Sequence, residues 1–272
     1  MKTPYGKNIL ITGASSGLGK SSAEYFAKAG YSVWGVSRSC GRSERRVGAG
    51  MIRMLPMDVT DDASVDAAVS EVLAQAGSIG VVLHCAGFGI AGACEDTPLE
   101  AVRAQMETNY FGVLRVNRAV LPSMRAQGFG LVLVTSSVAG LVSIPFQSHY
   151  ASSKFALEAA VQALRMECRP FGVRAALLEP GDTRTGFTGA RKMTMPEVSP
   201  YRAACERAVG KMARDEENGK PPESVAKKAL ALAQKRNPRM HNVIGADYRL
   251  LAGLIKILPE CAAEAILRRM YC

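Results

Sequence analysis

The chain has 272 residues, of which 48% are hydrophobic, 6% aromatic and 21% charged, a composition typical of a globular protein with one large core or two modest ones. No stretch approaches the roughly 20 apolar residues of a membrane span, so we expect no integral membrane segment. The net charge of +10 would suit a nucleic-acid partner, but the basic residues are dispersed and no aromatic residues interleave with them, which argues against one.

The N-terminal segment, MKTPYGKNILITG, lacks the apolar run and the small-residue cleavage site of a secretory signal. The cysteines have no CxxC spacing and few histidines nearby, which argues against both a disulfide framework and a zinc site. We therefore expect a cytoplasmic protein with reduced thiols and no bound metal. The cysteines are Cys40, Cys85, Cys94, Cys168, Cys205, Cys261 and Cys272.

Short apolar runs alternate with longer amphipathic helical patterns along the first two-thirds of the chain. This alternation predicts a parallel sheet buried on both faces, in a doubly wound α/β fold. Without an internal repeat or a low-complexity linker, residues 1–272 are expected to form a single domain. The predicted strands are NILIT (8–12), SVWGVS (32–37), MIRMLPM (51–57), GVVLHC (80–85), LVLVTS (131–136) and VRAALLE (173–179).

The pattern changes after Pro180. Residues 186–222 are rich in Gly, Met, Arg and Pro and contain a helical pattern at about 198–215, so we expect an insertion that acts as a lid. A short strand, MHNVIG (240–245), then precedes apolar helices at about 248–271. Contact of these helices with a membrane surface is conceivable, but packing on the sheet edge or on a partner is the simpler explanation.

The segment TGASSGLGK (12–20) leads from the first strand directly into a helix. Gly13, Gly17 and Gly19 are spaced four and two apart, which permits a tight turn and a close approach of the backbone to a pyrophosphate at the helix N-terminus. A purely structural glycine-rich turn would look the same, so this segment alone does not decide the function.

Four further segments lie at or near the carboxyl ends of predicted strands, where open α/β sheets bind ligands. They contain Asn109 in TNYFG, Ser137 in VLVTSSVAG, Tyr150 and Lys154 in YASSK, and the run EPGDTRT (179–185). Tyr150 and Lys154 are four residues apart, so both lie on one face of a helix.

In this order, over roughly residues 5–185, these segments resemble the short-chain dehydrogenase/reductase family. The resemblance implies a Rossmann-type fold, a nicotinamide cofactor and a catalytic tetrad of Asn109, Ser137, Tyr150 and Lys154. It also implies a set of cofactor-binding residues that includes Tyr150 and Lys154. The others are Gly13, Ser15, Ser16, Gly17, Leu18, Gly19, Ser37, Arg38, Asp58, Val59, Cys85, Ala86, Gly87, Pro180, Gly181, Thr183 and Thr185.

One segment departs from the family pattern. Where the family usually has Asn-Asn-Ala-Gly after the fourth strand, this chain has His84-Cys85-Ala86-Gly87. The asparagines normally help to fix the central strand, so we expect their loss to loosen this position, while the backbone contacts of Ala86 and Gly87 to the cofactor are retained.

A free tyrosine has a pKa of about 10, too high for proton transfer near neutrality. We expect the positive charge of Lys154, together with an oxidised nicotinamide, to lower the pKa of Tyr150. Tyr150 would then exchange a proton with the substrate oxygen, which Ser137 would orient. By resemblance, Lys154 also holds the nicotinamide ribose and Asn109 anchors a water chain to solvent.

The end of the second strand, Gly35 to Ser39, contains no carboxylate to hold a ribose 2′-hydroxyl. Arg38 is placed to pair with a 2′-phosphate, and Ser15 or Ser37 could add hydroxyl donors. A solvent-exposed arginine is the alternative, but the missing acid favours NADP(H), with NAD(H) as the second choice.

The expected cleft has apolar walls, which suit a lipophilic ligand under a flexible lid. SVAGLVSIPFQSHYASSKFALE and the tail ending LRRMY also resemble, more loosely, hydroxysteroid and retinol dehydrogenases. We therefore expect a lipophilic alcohol or ketone as substrate, with a hydroxysteroid as one candidate. A reductase of sugar or small xenobiotic carbonyls and a non-enzymatic NADP-binding regulator are the alternatives. The wall residues are Phe88, Ile90, Leu141, Val142, Ile144, Phe146, Phe187, Met193 and Met195.

The helix that continues from Lys154 as FALEAAVQALRMECRPF is apolar on more than one face. One face must cover the sheet, so the other needs a partner. Pairing with the helix around residues 109–124 and its two-fold copy predicts a homo-oligomer, a dimer or a tetramer, as the family resemblance also implies. The rival explanation is cover by residues 248–271 of the same chain.

Overall fold

The computed structural model describes residues 3–255 and 257–271. In this part of the chain the strands are β1 (Asn8–Thr12), β2 (Ser32–Ser37), β3 (Ser43–Val47), β4 (Gly50–Pro56), β5 (Val81–His84), β6 (Ile90–Ala91), β7 (Gly130–Thr135), β8 (Val173–Pro180), β9 (Lys192–Met193) and β10 (Val243–Ile244). The helices are α1 (Gly17–Lys28), α2 (Asp62–Ala76), α3 (Leu99–Met106), α4 (Gly112–Gln127), α5 (Ser148–Glu167), α6 (Phe187–Ala190), α7 (Arg202–Glu217), α8 (Glu223–Ala233), α9 (Ala246–Ile255) and α10 (Glu260–Tyr271), and a π-helical turn (Glu107–Phe111) joins α3 to α4.

The main sheet has the strand order β10-β8-β7-β5-β1-β2-β4-β3. Its neighbouring strands are parallel, apart from β3, which runs antiparallel to β4. The chain builds the sheet outwards from β1, first through β2 to one edge and then through β5 to the other. This arrangement confirms the predicted Rossmann-type doubly wound α/β fold.

Both faces of the sheet are buried, because successive side chains of a strand point to opposite sides. Ile9 and Ile11 of β1 pack with α1 and α8 on one face, and Leu10 packs with α2, α4 and α5 on the other. Burial of one such side chain contributes about 1.5–3 kcal/mol. The need to cover both faces explains why the strands read as continuous apolar runs rather than as alternating patterns.

The first six predicted strands agree with β1, β2, β4, β5, β7 and β8 to within one residue at each end. Sequence reasoning missed β3, because its sequence, SERRV, is largely exposed and carries no apolar pattern. It also missed α8, which lies directly after the Pro-Pro at 221–222, and the two-residue strands β6 and β9, which are too short for any periodicity.

The predicted insertion, residues 186–222, contains α6, β9 and α7. β9 pairs with β6, which places Lys192 opposite Ile90, and the hydroxyl oxygens of Thr97 and Thr194 lie 3.1 Å apart. The insertion therefore lies against the segment of chain that follows β5.

The helices predicted at about 248–271 are α9 and α10, and α10 packs against α7. Within 3–255 and 257–271, no helix is long and apolar enough to cross a membrane. Leu250 and Ile257 are exposed on this C-terminal segment. Lys256, in its apolar stretch, and Cys272, the seventh predicted thiol, lie outside the described residues.

A buried polar contact lies at the end of β5, where the sequence predicts loosening. His84 is buried, and its Nε2 atom lies 3.0 Å from Oδ1 of Asn117 on α4. The imidazole thus fills the position and joins the central strand to a helix. Burial lowers the pKa of His84 to about 4, although the hydrogen bond with Asn117 acts in the opposite direction.

A histidine that stays neutral in the fold makes stability depend on pH. Below a pH of about 6.5 the unfolded chain takes up a proton at His84 that the folded chain accepts only near pH 4, so stability falls as the pH falls through this window. From pH 7 to pH 5 this loss is about 2 kcal/mol. We expect His84→Asn to reduce the difference between the thermal midpoints at pH 7 and pH 5, whatever its absolute stability. An unchanged difference would contradict the assignment.

Candidate active site

A cleft of about 1190 Å³ opens at the carboxyl ends of the parallel strands. It lies over the neighbouring strands β1 and β5. The chain extends the sheet in one direction from β1 and in the opposite direction from β5. A doubly wound sheet leaves a crevice at this switch point, because the loops after the two strands diverge to opposite faces. The topology alone therefore places the cleft.

The floor of the cleft is the turn between β1 and α1. Gly13 has φ 67°, and a Cβ at this position would lie 2.8 Å from the backbone nitrogen of Ala86. A Cβ on Gly19 would lie 2.2 Å from the carbonyl oxygen of Gly13. Only glycine allows these approaches, which bring the N-terminus of α1 to the cleft. Ser16 makes no side-chain cap there, so the first N–H groups of α1 are available to an anion.

Most of the predicted cofactor-binding residues line the cleft. Gly19 and Asp58 are not among the lining residues: Gly19 packs beneath the turn, and Asp58 accepts hydrogen bonds from the backbone nitrogen and the hydroxyl of Thr60. The lining residues are Gly13, Ser15, Ser16, Gly17, Leu18, Ser37, Arg38, Val59, Cys85, Ala86, Gly87, Tyr150, Lys154, Pro180, Gly181, Thr183 and Thr185.

Arg38 is exposed on the cleft wall beyond β2. Burial alone would raise the pKa of Asp58, but the hydrogen bonds from Thr60 and the charges of Arg38 and Arg115 lower it overall. The Arg38 guanidinium therefore adds positive potential at this end of the cleft. The Ser37 hydroxyl oxygen is buried here and has no hydrogen-bond partner among the described residues. An uncapped helix N-terminus, an arginine and an unpaired hydroxyl fit the phosphate groups of a dinucleotide.

Thr12 holds the ends of β1 and β5 together, a role that sequence reasoning missed. Its hydroxyl oxygen accepts hydrogen bonds of 3.1 Å from the backbone nitrogens of both Cys85 and Ala86. A threonine directly before the glycine turn is the signal that could have identified it. Burial raises the pKa of Cys85 to about 11, so this residue is a neutral thiol in the wall and not a nucleophile.

Tyr150, Lys154 and Ser137 meet on one side of the cleft. α5 places Tyr150 and Lys154 one turn apart, with Lys154 Nζ 5.6 Å from the centre of the tyrosine ring. Lys154 Nζ donates a hydrogen bond of 2.9 Å to the carbonyl oxygen of Thr135, at the end of β7. Ser137 follows β7 and is hydrogen-bonded to Tyr150. Strand β7 and helix α5 together fix all three side chains.

The pKa values correct one expectation. Burial raises the pKa of Tyr150 to about 12, because the hydrogen bond with Ser137 only partly offsets it and the charge of Glu216 adds to the rise. In the protein alone Lys154 is not among the groups that lower the pKa of Tyr150, which are Ser137 and Arg191. Burial lowers the pKa of Lys154 to about 8, with Cys85 and Glu158 acting in the opposite direction. At neutral pH the cleft holds a protonated phenol beside a mostly protonated amine.

Asn109 lies in the π-helical turn and does not line the cleft. Its Oδ1 accepts a hydrogen bond of 3.0 Å from the backbone nitrogen of Phe88, and its Nδ2 donates to the Phe88 carbonyl oxygen and to the Ser153 hydroxyl. The side chain therefore joins the loop after β5 to α5. All of its hydrogen bonds within the described residues are made to Phe88 and Ser153, and none is made to Lys154.

The roof of the cleft contains residues that sequence reasoning missed. The ring of Tyr248 packs against Gly181, where a Cβ would lie 2.1 Å from the ring. The Tyr248 hydroxyl donates a hydrogen bond to Oδ2 of Asp182. These contacts seat α9 on the end of β8. The sequence pattern around residues 248–271 predicts apolar helices but does not predict that they lie over the cleft. The roof residues from α7, α9 and α10 are Met212, Asp215, Glu216, Tyr248, Leu251, Leu267 and Tyr271.

Four of the apolar wall residues expected from the sequence line the cleft: Phe88, Val142, Ile144 and Phe187. The Phe187 ring centre lies 5.6 Å from that of Tyr150. The remaining five do not line the cleft; they are Ile90, Leu141, Phe146, Met193 and Met195. Ile90 and Met193 belong instead to the β6–β9 pairing, which takes them away from the cleft.

Comparison with known proteins agrees with this geometry. The model of the short chain dehydrogenase family matches residues 7–196. The chain is 36% identical over 266 residues to a 3-ketodihydrosphingosine reductase from Bacteroides thetaiotaomicron, with 97% of each chain covered. A short-chain dehydrogenase structure from Streptomyces avermitilis is 29% identical, with a TM-score of 0.81 over 97% of this chain and 95% of that one. A short-chain dehydrogenase/reductase structure from Burkholderia phymatum in complex with NAD is 25% identical, with a TM-score of 0.80 over 94% and 95%.

Proposed function

The chain belongs to the short-chain dehydrogenase/reductase family, and on this premise we propose that it is an NADP(H)-dependent oxidoreductase acting on a lipophilic alcohol or ketone. The observation that carries the proposal is the group formed by Tyr150, Lys154 and Ser137 beside a cleft large enough for a dinucleotide and a substrate. We place the protein in the cytoplasm, with residues 186–222 as a lid on a single domain.

Tyr150 is the general acid of this proposal. With a pKa raised to about 12 by burial, its phenol keeps its proton at neutral pH and is a weak acid towards water. The substrate oxygen that becomes an alkoxide during reduction is a far stronger base than a phenolate, so it could take this proton. Ser137, which is hydrogen-bonded to Tyr150, would orient the same oxygen. The nicotinamide, when bound, supplies the hydride that reduces the carbonyl carbon. Because the phenol is protonated in the protein alone, these roles favour reduction of a ketone over oxidation of an alcohol.

The cofactor would lie across the switch point. The N-terminus of α1 and the turn at Gly13 and Gly17 would hold the pyrophosphate, and Lys154 the nicotinamide ribose. Arg38 and Ser37 would bind the 2′-phosphate, which supports NADP(H) over NAD(H). The positive potential at Arg38 and the unpaired Ser37 hydroxyl support this choice.

The substrate side of the cleft supports a lipophilic ketone. Phe187 lies beside Tyr150, and Val142, Ile144, Leu251 and Leu267 add apolar surface. The leading candidates are therefore a ketosteroid and a long-chain ketone such as 3-ketodihydrosphingosine, which appears in the name of the Bacteroides thetaiotaomicron relative. A polar carbonyl, such as a sugar, is the second candidate, because the carboxylates of Asp182, Asp215 and Glu216 also line the cleft.

Oxidation of NADPH measured against 3-ketodihydrosphingosine, ketosteroids, retinal, sugars and small ketones tests this function. With the best substrate, Tyr150→Phe removes the acid and keeps the ring, so we expect kcat to fall by at least about 10²-fold and the affinity for NADPH to stay nearly unchanged. Tyr201→Phe, which removes a phenol outside the cleft, is the matched control. Near-normal turnover by Tyr150→Phe would show that the mechanism is wrong.

Arg38→Asp replaces a cation with a carboxylate at the proposed 2′ position. We expect at least a tenfold rise in the Kd for NADPH, on the order of one lost charge-assisted contact, and tighter binding of NADH, both measured by fluorescence titration. Arg46→Asp makes the same charge change at an exposed position of β3 and should leave both affinities as they are. Preference of the unmodified protein for NADH would contradict the assignment.

We also propose a homodimer through α4 and α5. Phe111, Phe155 and Met166 are exposed on or beside these helices, and α9 and α10 lie over the cleft, so intrachain cover does not bury this face. We expect light scattering at micromolar concentration to give a dimer mass, and Phe155→Glu with Met166→Glu to give a monomer. Leu99→Glu, on α3, controls for the added charge. A monomer mass for the unmodified chain would exclude the dimer.

A further inference from the structure

A buried acidic cluster lies directly behind Lys154. Glu158 is one turn further along α5, on the same face of the helix as Lys154. Glu158, Glu179 at the end of β8 and His241 before β10 place their polar atoms within 4.8 Å of one another. The site residues predicted from the sequence do not include this cluster, although Glu158 lies on the helix that carries Tyr150 and Lys154, and Glu179 lies on β8, the neighbour of β7.

The cluster connects the interior to the surface. His241 Nδ1 lies 2.7 Å from Oε1 of Glu179 and 3.4 Å from Oε2 of Glu158. Both glutamates are buried, whereas 45% of the His241 side chain is exposed. The backbone nitrogen of Asn242 donates to the second oxygen of Glu179. His241 is therefore the member of the cluster that reaches solvent.

The inner end of the cluster reaches the surroundings of Lys154. Lys154 donates to the carbonyl oxygen of Thr135, and the next residue, Ser136, faces Glu158. A Cβ on Gly140 would lie 2.6 Å from the Ser136 hydroxyl and 3.2 Å from Oε1 of Glu158. Because Gly140 has no side chain, the Ser136 hydroxyl and the Glu158 carboxylate can approach each other in this space.

The charges around Glu158 suit proton exchange near neutrality. Burial raises the pKa of Glu158 to about 7; Ser136, His241 and Lys154 act to lower it, and the charge of Glu179 acts to raise it further. The pKa of Lys154, lowered to about 8 by burial, is close to this value. A fraction of Glu158 therefore keeps its proton near neutral pH and can give it to a neutral Lys154, whereas a glutamate with its ordinary pKa of about 4.3 would be ionised and have no proton to give.

We propose that Glu158 and His241 form a proton path that recharges Lys154 from solvent during ketone reduction. The path rests on the proposed function, in which Tyr150 gives its proton to the substrate and then receives a proton from Lys154. Neutral Lys154 then takes a proton from the Glu158 carboxyl group, and the Glu158 carboxylate takes one from the His241 imidazolium, which regains its proton from water. Each step moves one proton, so the path needs no further reactant. Glu158 and His241 act through Lys154 and are positioning residues.

Steady-state reduction of the best ketone tests the path. Glu158→Gln, which cannot pass a proton, should lower kcat by at least about tenfold, raise the solvent deuterium isotope effect on kcat, and leave the KM for NADPH unchanged. Glu158→Asp keeps a carboxyl group and should recover most of the activity. Glu167→Gln, an exposed position on the same helix, is the matched control. Full kcat with an unchanged isotope effect in Glu158→Gln would overturn the path.

The surface end has a separate test. His241→Ala should lower kcat, and imidazole added to the buffer should restore it, because the exposed position admits a small base; a structural role would not respond to imidazole. Absence of this rescue would overturn the role of His241. Failure of the proposed function is distinguishable, since it would appear as unaltered turnover in Tyr150→Phe, whereas failure of the path leaves the Tyr150→Phe effect in place.

Discussion

Burial of Tyr150 and Lys154 on α5 is the constraint on which the site depends. Removing a phenol and an amine from water favours their neutral forms, so the pKa of the tyrosine rises and that of the lysine falls. The lysine still keeps most of its charge at neutral pH, because burial lowers its pKa only to about 8 and Glu158, one turn away, opposes the effect of burial. Its ammonium group donates a hydrogen bond to the Thr135 carbonyl oxygen. The contacts that α5 makes with β7 and β8 thus set the chemistry as well as the packing.

The cofactor side depends on a second constraint, the close approach of backbone to backbone. The β1–α1 turn lies within van der Waals distance of the chain that leaves β5, and the Thr12 hydroxyl joins the two strand ends. These contacts keep the first N–H groups of α1 directed into the cleft. His84 reinforces the same strand end through Asn117, so the departure from the family's asparagine pair replaces one polar anchor with another.

The substrate side is assembled from parts of the chain that are distant in sequence. α7 of the insertion and the C-terminal helices α9 and α10 all contribute to the roof, and Tyr248 seats this roof on Gly181. The roof has both apolar residues and carboxylates. A lipophilic ketone that also carries a polar group is the substrate that we propose for such a surface.

The sheet and the glycine turn could be predicted from the residues alone, because buried parallel strands need continuous apolar runs and a tight turn against another backbone needs glycine. The residues alone also predict that Tyr150 and Lys154 share a face, because the helical repeat is local. Only the tertiary structure decided the pKa of Tyr150, since desolvation depends on everything packed around the ring. The same holds for the roof from α9 and α10 and for the meeting of Glu158, Glu179 and His241. These contacts join residues more than 20 positions apart, and no local pattern records which distant segments will meet.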